Sequence, residues 1–197
     1  NILPLTEDNA DLVGITEDNK KIYGEEQITK SAKKIKYIEY SQKIKVNPKV
    51  IEAVNSADLI IFSSGSLLTS IAPHLINKTL AKAIRASKAP KMYICNLFTQ
   101  PGETDNYSVS NHLKTLESYL GKHGIDVVIA NNNMLNKDLV NIYQTQEQKD
   151  PVIIDTDNIK KLGVKIISDN LAKEEDGCYR HDSLKTAYLI FSYLMNN

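Results

Sequence analysis

The distribution of apolar residues divides the chain into two parts near residue 48. In the first part, the stretches Leu12–Thr16 and Lys21–Tyr23 flank a polar loop, and apolar and polar residues alternate along Ile35–Tyr40. A period of two is typical of strands with one buried face, and a short polar loop between two such strands is typical of a hairpin. We therefore predict a β-rich segment over residues 1–48. Its lysine-rich stretch, residues 30–36, is interpreted as a solvated edge or loop.

From residue 49 onwards, continuous apolar runs alternate with helical patterns. The apolar runs are residues 57–62, 92–96 and 125–130, and each is expected to be a strand buried on both faces. Helices are predicted at residues 50–55, 67–75, 79–87, 109–120 and 138–148, with breaks at Pro73 and at residues 77–78. Strands and helices that alternate at these lengths predict an α/β fold with a parallel sheet.

The last part of the chain adds two extended stretches and a helix. Residues 151–155 and 164–168 have extended patterns, and the terminal segment has helical periodicity. An amphipathic helix packs its apolar stripe on the core. Here the stripe that defines the helix consists of Leu184, Ala187, Tyr188, Phe191 and Met195.

Composition excludes several classes of function. The 197 residues contain 24 basic and 24 acidic side chains, so a basic nucleic-acid surface is not expected. With 42% hydrophobic residues, the chain can bury a sizeable core. The two cysteines form neither a disulfide framework nor a zinc motif, and no apolar stretch approaches the ~20 residues that span a bilayer. These features predict a cytoplasmic protein without membrane insertion and without a nucleic-acid partner.

Polar residues follow the predicted strands, at the edge where ligands bind in open parallel sheets. The first strand is followed by a small-residue turn, the second by a long polar loop, and the third by a run of asparagines. These segments are residues 63–66, 96–105 and 131–133. Because the carboxyl ends of parallel strands share one edge, we expect these segments to face one crevice.

The turn of Ser63, Ser64, Gly65 and Ser66 has two interpretations. Gly65 lets the backbone approach a ligand closely, and the free N–H groups of the following helix attract phosphate. Alternatively, Ser66 is simply the N-cap of that helix. Neither a Gly-x-Gly-x-x-Gly fingerprint nor a Walker-type loop occurs in the chain, so a dinucleotide or nucleoside triphosphate site of the usual kind is not supported.

The loop from Thr99 to Asp105 carries more donors and acceptors than chain reversal needs, which favours a binding role. Glu103 and Asp105 are candidates for holding Mg²⁺ or for accepting hydrogen bonds from sugar hydroxyls. The structural alternative is that they cap the helix that begins near Ser108, which suits Asp105 better than the whole loop.

A second polar cluster precedes the terminal helix. Arg180 is one of two arginines in a chain that otherwise uses lysine, and lysine cannot reproduce the planar guanidinium that grips phosphate or carboxylate. With its neighbours at residues 179–183, Arg180 could engage such an anion. In the alternative interpretation, Asp182 or Ser183 caps the helix and Arg180 is solvated.

Taken together, these segments resemble the bacterial gluconeogenesis-factor family, which is related to the 2-phospho-L-lactate transferases. Residues 57–71 and 89–105 are similar to its two signature blocks, and the Gln-Pro-Gly-Glu-Thr-Asp sequence at residues 100–105 is highly specific. Residues 3–8 and 180–182 also fit, so that the resemblance covers nearly the whole chain. It implies a Rossmann-like, mostly parallel sheet with flanking helices, over residues 49–197, and a small β-rich N-terminal part.

The resemblance further implies binding of a UDP-sugar such as UDP-N-acetylglucosamine, in a role tied to carbon-source use, cell-wall precursor supply and cell shape. Arg180 matches an arginine associated with the UDP-sugar, and Ser183 matches a hydroxyl position that is phosphorylated in some members. A homodimer is implied as well. By position, the ligand-binding residues are Thr6, Glu7, Asp8, Ser63, Ser64, Gly65, Ser66, Asn96, Thr99, Gln100, Gly102, Glu103, Thr104, Asp105 and Arg180.

Two departures from the family pattern affect these expectations. The chain has Ser63 and Ser64 where the family has glycine and proline, and Leu68 where the family has tyrosine. Family members also begin with a strand and a glycine-rich nucleotide turn, so we expect this chain to be the later part of a longer single-domain protein. Three hypotheses follow: a nucleotide-sugar-binding regulator without catalytic residues, a Mg²⁺-dependent transferase of a phospho-lactyl-type group, and a structural portion that binds nothing alone.

Overall fold

A computed structural model describes residues 2–196. The N-terminal part forms a three-stranded antiparallel sheet of β1 (Leu12–Thr16), β2 (Lys21–Tyr23) and β3 (Ile35–Tyr40), in the order β2-β1-β3. This arrangement confirms the predicted hairpin and third strand. The sequence pattern missed helix α1 (Glu25–Ser31), which fills the connection between β2 and β3. Its single buried residue, Ile28, gives too weak a period to be recognised as a helix.

A four-stranded parallel sheet confirms the α/β fold. It consists of β4 (Ile60–Phe62), β5 (Lys91–Ile94), β6 (Val127–Asn131) and β7 (Lys165–Asp169), in the order β4-β5-β6-β7. The central strands β5 and β6 are buried on both faces, as their continuous apolar sequences predict. The extended stretch at residues 164–168 supplies the fourth strand.

Strand β4 departs from its prediction, because it lies at one edge of this sheet and pairs only with β5 among the described strands. It is shorter than the apolar run at residues 57–62, and Ile61 in its middle is 43% exposed. The expectation that this strand is buried on both faces was therefore wrong. An apolar run reports the hydrophobicity of a strand but not whether a neighbouring strand or helix covers it.

One face of the parallel sheet is covered by a group of helices. These are α2 (Pro48–Asn55), a π-helical turn (Leu67–Ile71) that continues into α3 (Ala72–Ile76), α4 (Lys78–Ala86), α5 (Val109–Leu120) and α7 (Thr156–Lys161). Their apolar residues surround Tyr93 and Val128 of the central strands, which are fully buried. The N-terminal part packs on the same layer, where Ile28 of α1 and Ile35 and Ile38 of β3 form one buried cluster with Leu68 and Ala72.

The predicted break at Pro73 was wrong. The helical segment runs through it, because Pro73 lies in the first turn of α3, just after the wider π-helical turn. Proline is tolerated in the first turn of a helix, where its missing N–H removes no hydrogen bond. The other predicted break, at residues 77–78, is confirmed. Helix α3 ends at Ile76, and the Asn77 side-chain oxygen accepts hydrogen bonds from the backbone N–H groups of Thr79 and Leu80 at 2.9 and 3.3 Å, which caps α4.

The terminal helix α8 (Ser183–Met195) covers the opposite face of the sheet. Its residues Leu189, Ile190 and Tyr193 pack on the cluster formed by β5 and β6. The stripe chosen from the sequence points the other way: Leu184, Tyr188, Phe191 and Met195 are between 67% and 84% exposed, and Ala187 is exposed too. The stripe was misplaced because this helix is apolar on both sides, so that its periodicity does not identify the buried face.

Two further elements lie beyond the carboxyl ends of the strands. Helix α6 (Lys137–Gln146) confirms the predicted helix there, and strands β8 (Ala172–Glu175) and β9 (Cys178–His181) form an antiparallel hairpin that the sequence did not reveal. Residues 151–155 are extended but form only an isolated bridge, between Pro151 and Phe98. No helix among residues 2–196 is long and apolar enough to cross a membrane.

Asp155 links α5 to α7 and provides a test of this packing. Its carboxylate accepts hydrogen bonds from the Ser110 backbone N–H at 2.9 Å and from the Ser110 hydroxyl at 2.5 Å, and from Asn158 at 3.0 Å. Burial opposes ionisation, but these hydrogen bonds outweigh it and lower the pKa of Asp155 from 3.8 to about 2. The bonds therefore stabilise the fold above pH 3.8, and this stabilisation is lost as the pH falls towards 2.

We expect Asp155→Asn to lower the free energy of unfolding at pH 7 by about 1 kcal/mol, after allowance for solvent screening. The difference from wild type should shrink at pH 3. Urea unfolding at both pH values measures it. Asp157→Asn, at an exposed position in the first turn of α7, is the control and should change stability by no more than about 0.5 kcal/mol. Equal losses in the two variants would contradict the role of Asp155.

Candidate functional site

The turn after β4 is held in place by capping and by a neighbouring loop. The Ser66 hydroxyl oxygen accepts a hydrogen bond from the Thr69 backbone N–H at 3.1 Å, so Ser66 is the N-cap of the helical segment. The Asn96 side-chain amide donates to the backbone carbonyls of Ser64 and Gly65, at 3.3 and 3.0 Å. The capping alternative for Ser66 is thus what the structure shows, and Asn96 fixes the shape of the turn.

Gly65 lies close to another part of the protein, the side chain of Ser70. A Cβ atom at this position would lie 3.0 Å from the Ser70 Cβ atom, which is tighter than ordinary contact. The small residue therefore lets the turn pack against the first turn of the helix that follows it. No close approach to a ligand is needed to explain a glycine here.

Glu103 is buried beneath this turn, with 6% of its surface exposed. Its Oε2 atom accepts hydrogen bonds from the Ser66 hydroxyl and from the Leu68 backbone N–H, the latter at 3.2 Å. Its Oε1 atom has no hydrogen-bond partner among the described residues. Burial raises the pKa of Glu103, although the hydrogen bonds from Ser66 and Leu68 partly oppose that shift. The carboxyl group thus supports the turn from inside the protein.

The rest of the loop is organised by its own side chains. The Thr104 hydroxyl accepts a hydrogen bond from the Gln100 backbone N–H at 2.8 Å, and the Asp105 carboxylate accepts one from the Gly102 N–H at 2.9 Å. The structural alternative, in which Asp105 caps α5, was wrong: Ser108 is the N-cap, and its backbone N–H donates to the side chain of Asn111 at 3.1 Å. Much of the loop's polarity therefore serves its own conformation.

A cleft of about 430 Å³ opens at the carboxyl edge of the sheet, between this loop and the β8–β9 hairpin. This volume lies within the range of sites for small molecules. Six of the predicted binding residues line it, namely Ser64, Ser66, Asn96, Thr99, Gln100 and Arg180. Arg180 is exposed on β9, so its guanidinium group is available to an anion in the cleft. The structure thus brings together residues that are more than 110 positions apart in the sequence.

The remaining predicted residues lie elsewhere. Ser63, Gly65, Gly102, Glu103, Thr104 and Asp105 do not line this cleft. The three N-terminal residues of the prediction, Thr6, Glu7 and Asp8, lie next to the segment that precedes α2. The Lys45 backbone N–H donates to the Asp8 carboxylate at 2.6 Å, and the Asp8 N–H donates to the Thr6 hydroxyl at 3.1 Å. Glu7 is exposed next to them, and Ser183 is exposed at the first residue of α8, where the Asp182 side chain provides the cap.

An aromatic stack that the sequence analysis missed forms one wall of the cleft. The ring centroids of Phe98 and Tyr143 are 4.3 Å apart, and those of Phe98 and Tyr179 are 5.9 Å apart. The Tyr143 hydroxyl accepts a hydrogen bond from the Tyr179 backbone N–H at 3.0 Å. This bond fixes the residue next to Arg180. The aromatic residues were visible in the sequence, but no spacing relates a helix to a distant hairpin.

His181 anchors the other end of β9. Its Nε2 atom lies 3.1 Å from the carbonyl oxygen of Cys95, at the end of β5. Burial lowers the pKa of His181, and the hydrogen bond with Cys95 partly opposes that shift. Cys95 itself is buried, which raises the pKa of its thiol to about 12, as expected for an inert core cysteine. The hairpin is therefore attached to the end of β5 by His181 and to Phe98 and α6 by the aromatic stack.

A second cleft, of about 760 Å³, lies beyond the end of β6. The predicted asparagine run, residues 131–133, lines it together with Met134, Leu135 and part of α6. Asn131 uses its side-chain oxygen to accept hydrogen bonds from the backbone N–H groups of Leu171 and Ala172, at 2.9 and 3.2 Å. This asparagine therefore positions the start of the β8–β9 hairpin. Leu97 lines both clefts, so they are neighbours.

Neither of the two carboxylates proposed for Mg²⁺ lines the cleft. Glu103 is enclosed and Asp105 is bonded to the backbone of its own loop. Among residues 2–196, no group of three or more histidine, cysteine, aspartate or glutamate side chains is placed to hold a metal ion.

Fold and site define an α/β protein with a cleft at the carboxyl edge of a parallel sheet. The family model described as 2-phospho-L-lactate transferase CofD matches residues 1–172, and the chain belongs to this family. It is 37% identical to the gluconeogenesis factor of Listeria monocytogenes over 99% of this chain and 60% of that protein. It is 36% identical to the gluconeogenesis factor of Halalkalibacterium halodurans over 96% of this chain and 59% of that protein.

The fold has a close counterpart among solved structures. A crystal structure of a Bacillus halodurans protein superimposes with a TM-score of 0.89 at 36% identity, over 96% of this chain and 61% of that one. The same protein is described as a member of the UPF0052 family. The family resemblance and the fold class are thus confirmed. The chain spans about 60% of the length of these two gluconeogenesis factors.

Proposed function

We propose that this chain contributes a UDP-sugar site, with UDP-N-acetylglucosamine as the candidate ligand, to a regulator of carbon metabolism, cell-wall precursor supply and cell shape. The observation that carries the proposal is the cleft lined by Arg180, Gln100 and Ser64. A guanidinium suits phosphate, while amides and hydroxyls suit sugar hydroxyls. The proposal places the protein in the cytoplasm, as a homodimer, and treats Ser183 as a candidate phosphorylation site. It also treats the chain as part of a longer protein.

A transferase function is the second candidate, because the matching family model is described as a 2-phospho-L-lactate transferase. A transferase of this type moves a phospho-lactyl-type group and needs an acceptor. The cleft supplies hydrogen-bond donors and a cation, which could orient such a donor as well as a nucleotide sugar. The two candidates differ in whether a bound ligand is turned over.

Titration calorimetry with UDP-N-acetylglucosamine, with and without Mg²⁺, tests the first candidate. We expect saturable binding, and Arg180→Ala should weaken it by about tenfold, the loss that corresponds to ~1.4 kcal/mol. Arg180→Lys should recover only part of that loss, because lysine lacks the planar fork. Binding that survives Arg180→Ala unchanged would remove this arginine from the site.

The full-length Listeria monocytogenes relative serves as a reference in the same titration. No heat from either protein would refute the UDP-sugar proposal. Binding by the relative alone would favour the hypothesis that this chain is a structural portion. Turnover of a phosphorylated donor with Mg²⁺, followed by release of product, would favour the transferase.

A further inference from the structure

The cleft has a second cation that the sequence analysis did not select. Lys149 lines it together with Arg180, and the two residues lie on different elements. We propose that Lys149 is a second phosphate-binding residue, which with Arg180 holds the diphosphate of a nucleotide sugar, and that Glu147 competes with the ligand for Lys149. This inference rests on the proposed function, which it deepens by assigning the residues that recognise the diphosphate.

The backbone at Lys149 is fixed to the floor of the cleft. The Thr99 N–H donates to the Asp150 carbonyl at 2.8 Å, and the Asp150 N–H donates to the Thr99 hydroxyl at 2.9 Å. The Lys149 N–H donates to the carbonyl of Tyr143 at 3.1 Å, which joins the segment to α6. Gln148, the residue before it, adopts a left-handed conformation with φ 54°. A lysine attached to a fixed backbone loses less freedom when it binds an anion.

The charges around the cleft suit a diphosphate. The Lys149 Nζ atom lies 2.6 Å from the Glu147 Oε2 atom, and the two side chains are 32% and 43% exposed. Glu147 is the only carboxylate among the described residues that line the cleft. When a diphosphate binds, Lys149 would release the Glu147 carboxylate and bind phosphate oxygens in its place. The two phosphates would then have two cationic partners, Lys149 and Arg180. Among the described residues, the Lys149 ammonium group has one ion pair to release, the one with Glu147.

Two variants separate this role from that of a surface ion pair. Lys149→Ala should weaken binding of UDP-N-acetylglucosamine and of inorganic pyrophosphate by about tenfold, since each loses one cation. Glu147→Gln should tighten both by a few fold, because the competing charge is gone. If the ion pair had only a structural role, both substitutions would change the binding affinity in the same direction, because either one breaks the pair.

Lys20→Ala is the matched control. Lys20 forms a comparable exposed pair with Asp18, two residues away, at 2.8 Å, in the N-terminal hairpin. It does not line the cleft, so its replacement should leave both affinities unchanged. Thermal unfolding of every variant shows whether the fold is retained. Titration calorimetry at two salt concentrations provides the affinities, and the salt dependence should decrease in Lys149→Ala.

The outcomes distinguish the inference from the proposed function. Unchanged affinities in a folded Lys149→Ala variant overturn the inference and leave UDP-sugar binding intact. Weaker binding in Glu147→Gln also overturns it. Wild type that binds pyrophosphate in a Lys149-dependent way, but not UDP-N-acetylglucosamine, overturns the proposed ligand and supports the phosphate-binding role. Wild type that binds neither ligand overturns both.

Discussion

Replacing Gly102 by alanine is expected to lower the free energy of unfolding by about 3 kcal/mol. Gly102 has φ +80°, and a Cβ atom there would lie 2.5 Å from the Lys33 carbonyl oxygen and 2.8 Å from the Ala32 carbonyl carbon. Both atoms belong to the backbone and cannot rotate away. The Gly102 carbonyl also accepts a hydrogen bond from the Ile35 N–H at 2.8 Å, so the loop is joined to the N-terminal sheet at this point.

Gly177→Ala is the matched control for this prediction. Gly177 has φ +73°, but a Cβ atom there would meet nothing within 4 Å. Alanine at this position has the conformational cost of the left-handed region but no steric overlap with neighbouring atoms. We expect Gly177→Ala to lower the free energy of unfolding by about 1 kcal/mol. Urea unfolding of both variants measures the difference. Similar losses would show that the contact between the loop and the N-terminal sheet contributes little to stability.

Glu103→Ala is expected to cost about 2–3 kcal/mol at pH 5. The substitution removes the acceptor for the Leu68 N–H and the Ser66 hydroxyl, and it leaves a cavity beneath the turn. Glu103→Gln keeps the shape and one acceptor oxygen, so a smaller loss is expected. Chemical unfolding of the three proteins compares these values. A stability of Glu103→Ala equal to that of wild type would contradict the supporting role.

The effect of Glu103 should depend on pH in a defined direction. Burial raises its pKa above the ordinary value of 4.5, so the folded state holds the proton more tightly than the unfolded state. The stability that protonation supplies is therefore present below pH 4.5 and is lost as the pH rises through the raised pKa. We expect the advantage of wild type over Glu103→Gln to be larger at pH 4.5 than at pH 8. An advantage that grows with pH would show that the carboxylate is the favoured form.

The sequence predicted the parts of the fold that local patterns determine. The apolar runs at β5 and β6 and the period of α5 each identified an element and its type, because burial on both faces and helical spacing leave clear signals. The same patterns could not show which element is a neighbour of which. Strand β4 has a run like that of β5 and yet lies at the edge, and α8 is apolar on both sides.

The candidate site shows the same division. Residues 96–105 were selected because they follow a buried strand, and Asn96, Thr99 and Gln100 do line the cleft. Glu103 could not be placed, since only the tertiary structure shows that its carboxylate lies beneath the Ser66 turn. Tyr143 and Lys149 could not be selected either, because hydrogen bonds between distant backbone segments bring them to the cleft.

The outward stripe of α8 has a consequence for the behaviour of the chain in solution. The surface of this helix carries an exposed apolar patch formed by Leu184, Tyr188, Phe191 and Met195. The formal net charge of the chain is zero at pH 7. Molecules with no net charge have no net electrostatic repulsion between them, so two apolar patches can associate and exclude water. We therefore expect the solubility of the protein to be lowest close to neutral pH. A few acidic substitutions on this helix would restore electrostatic repulsion between the molecules and raise the solubility.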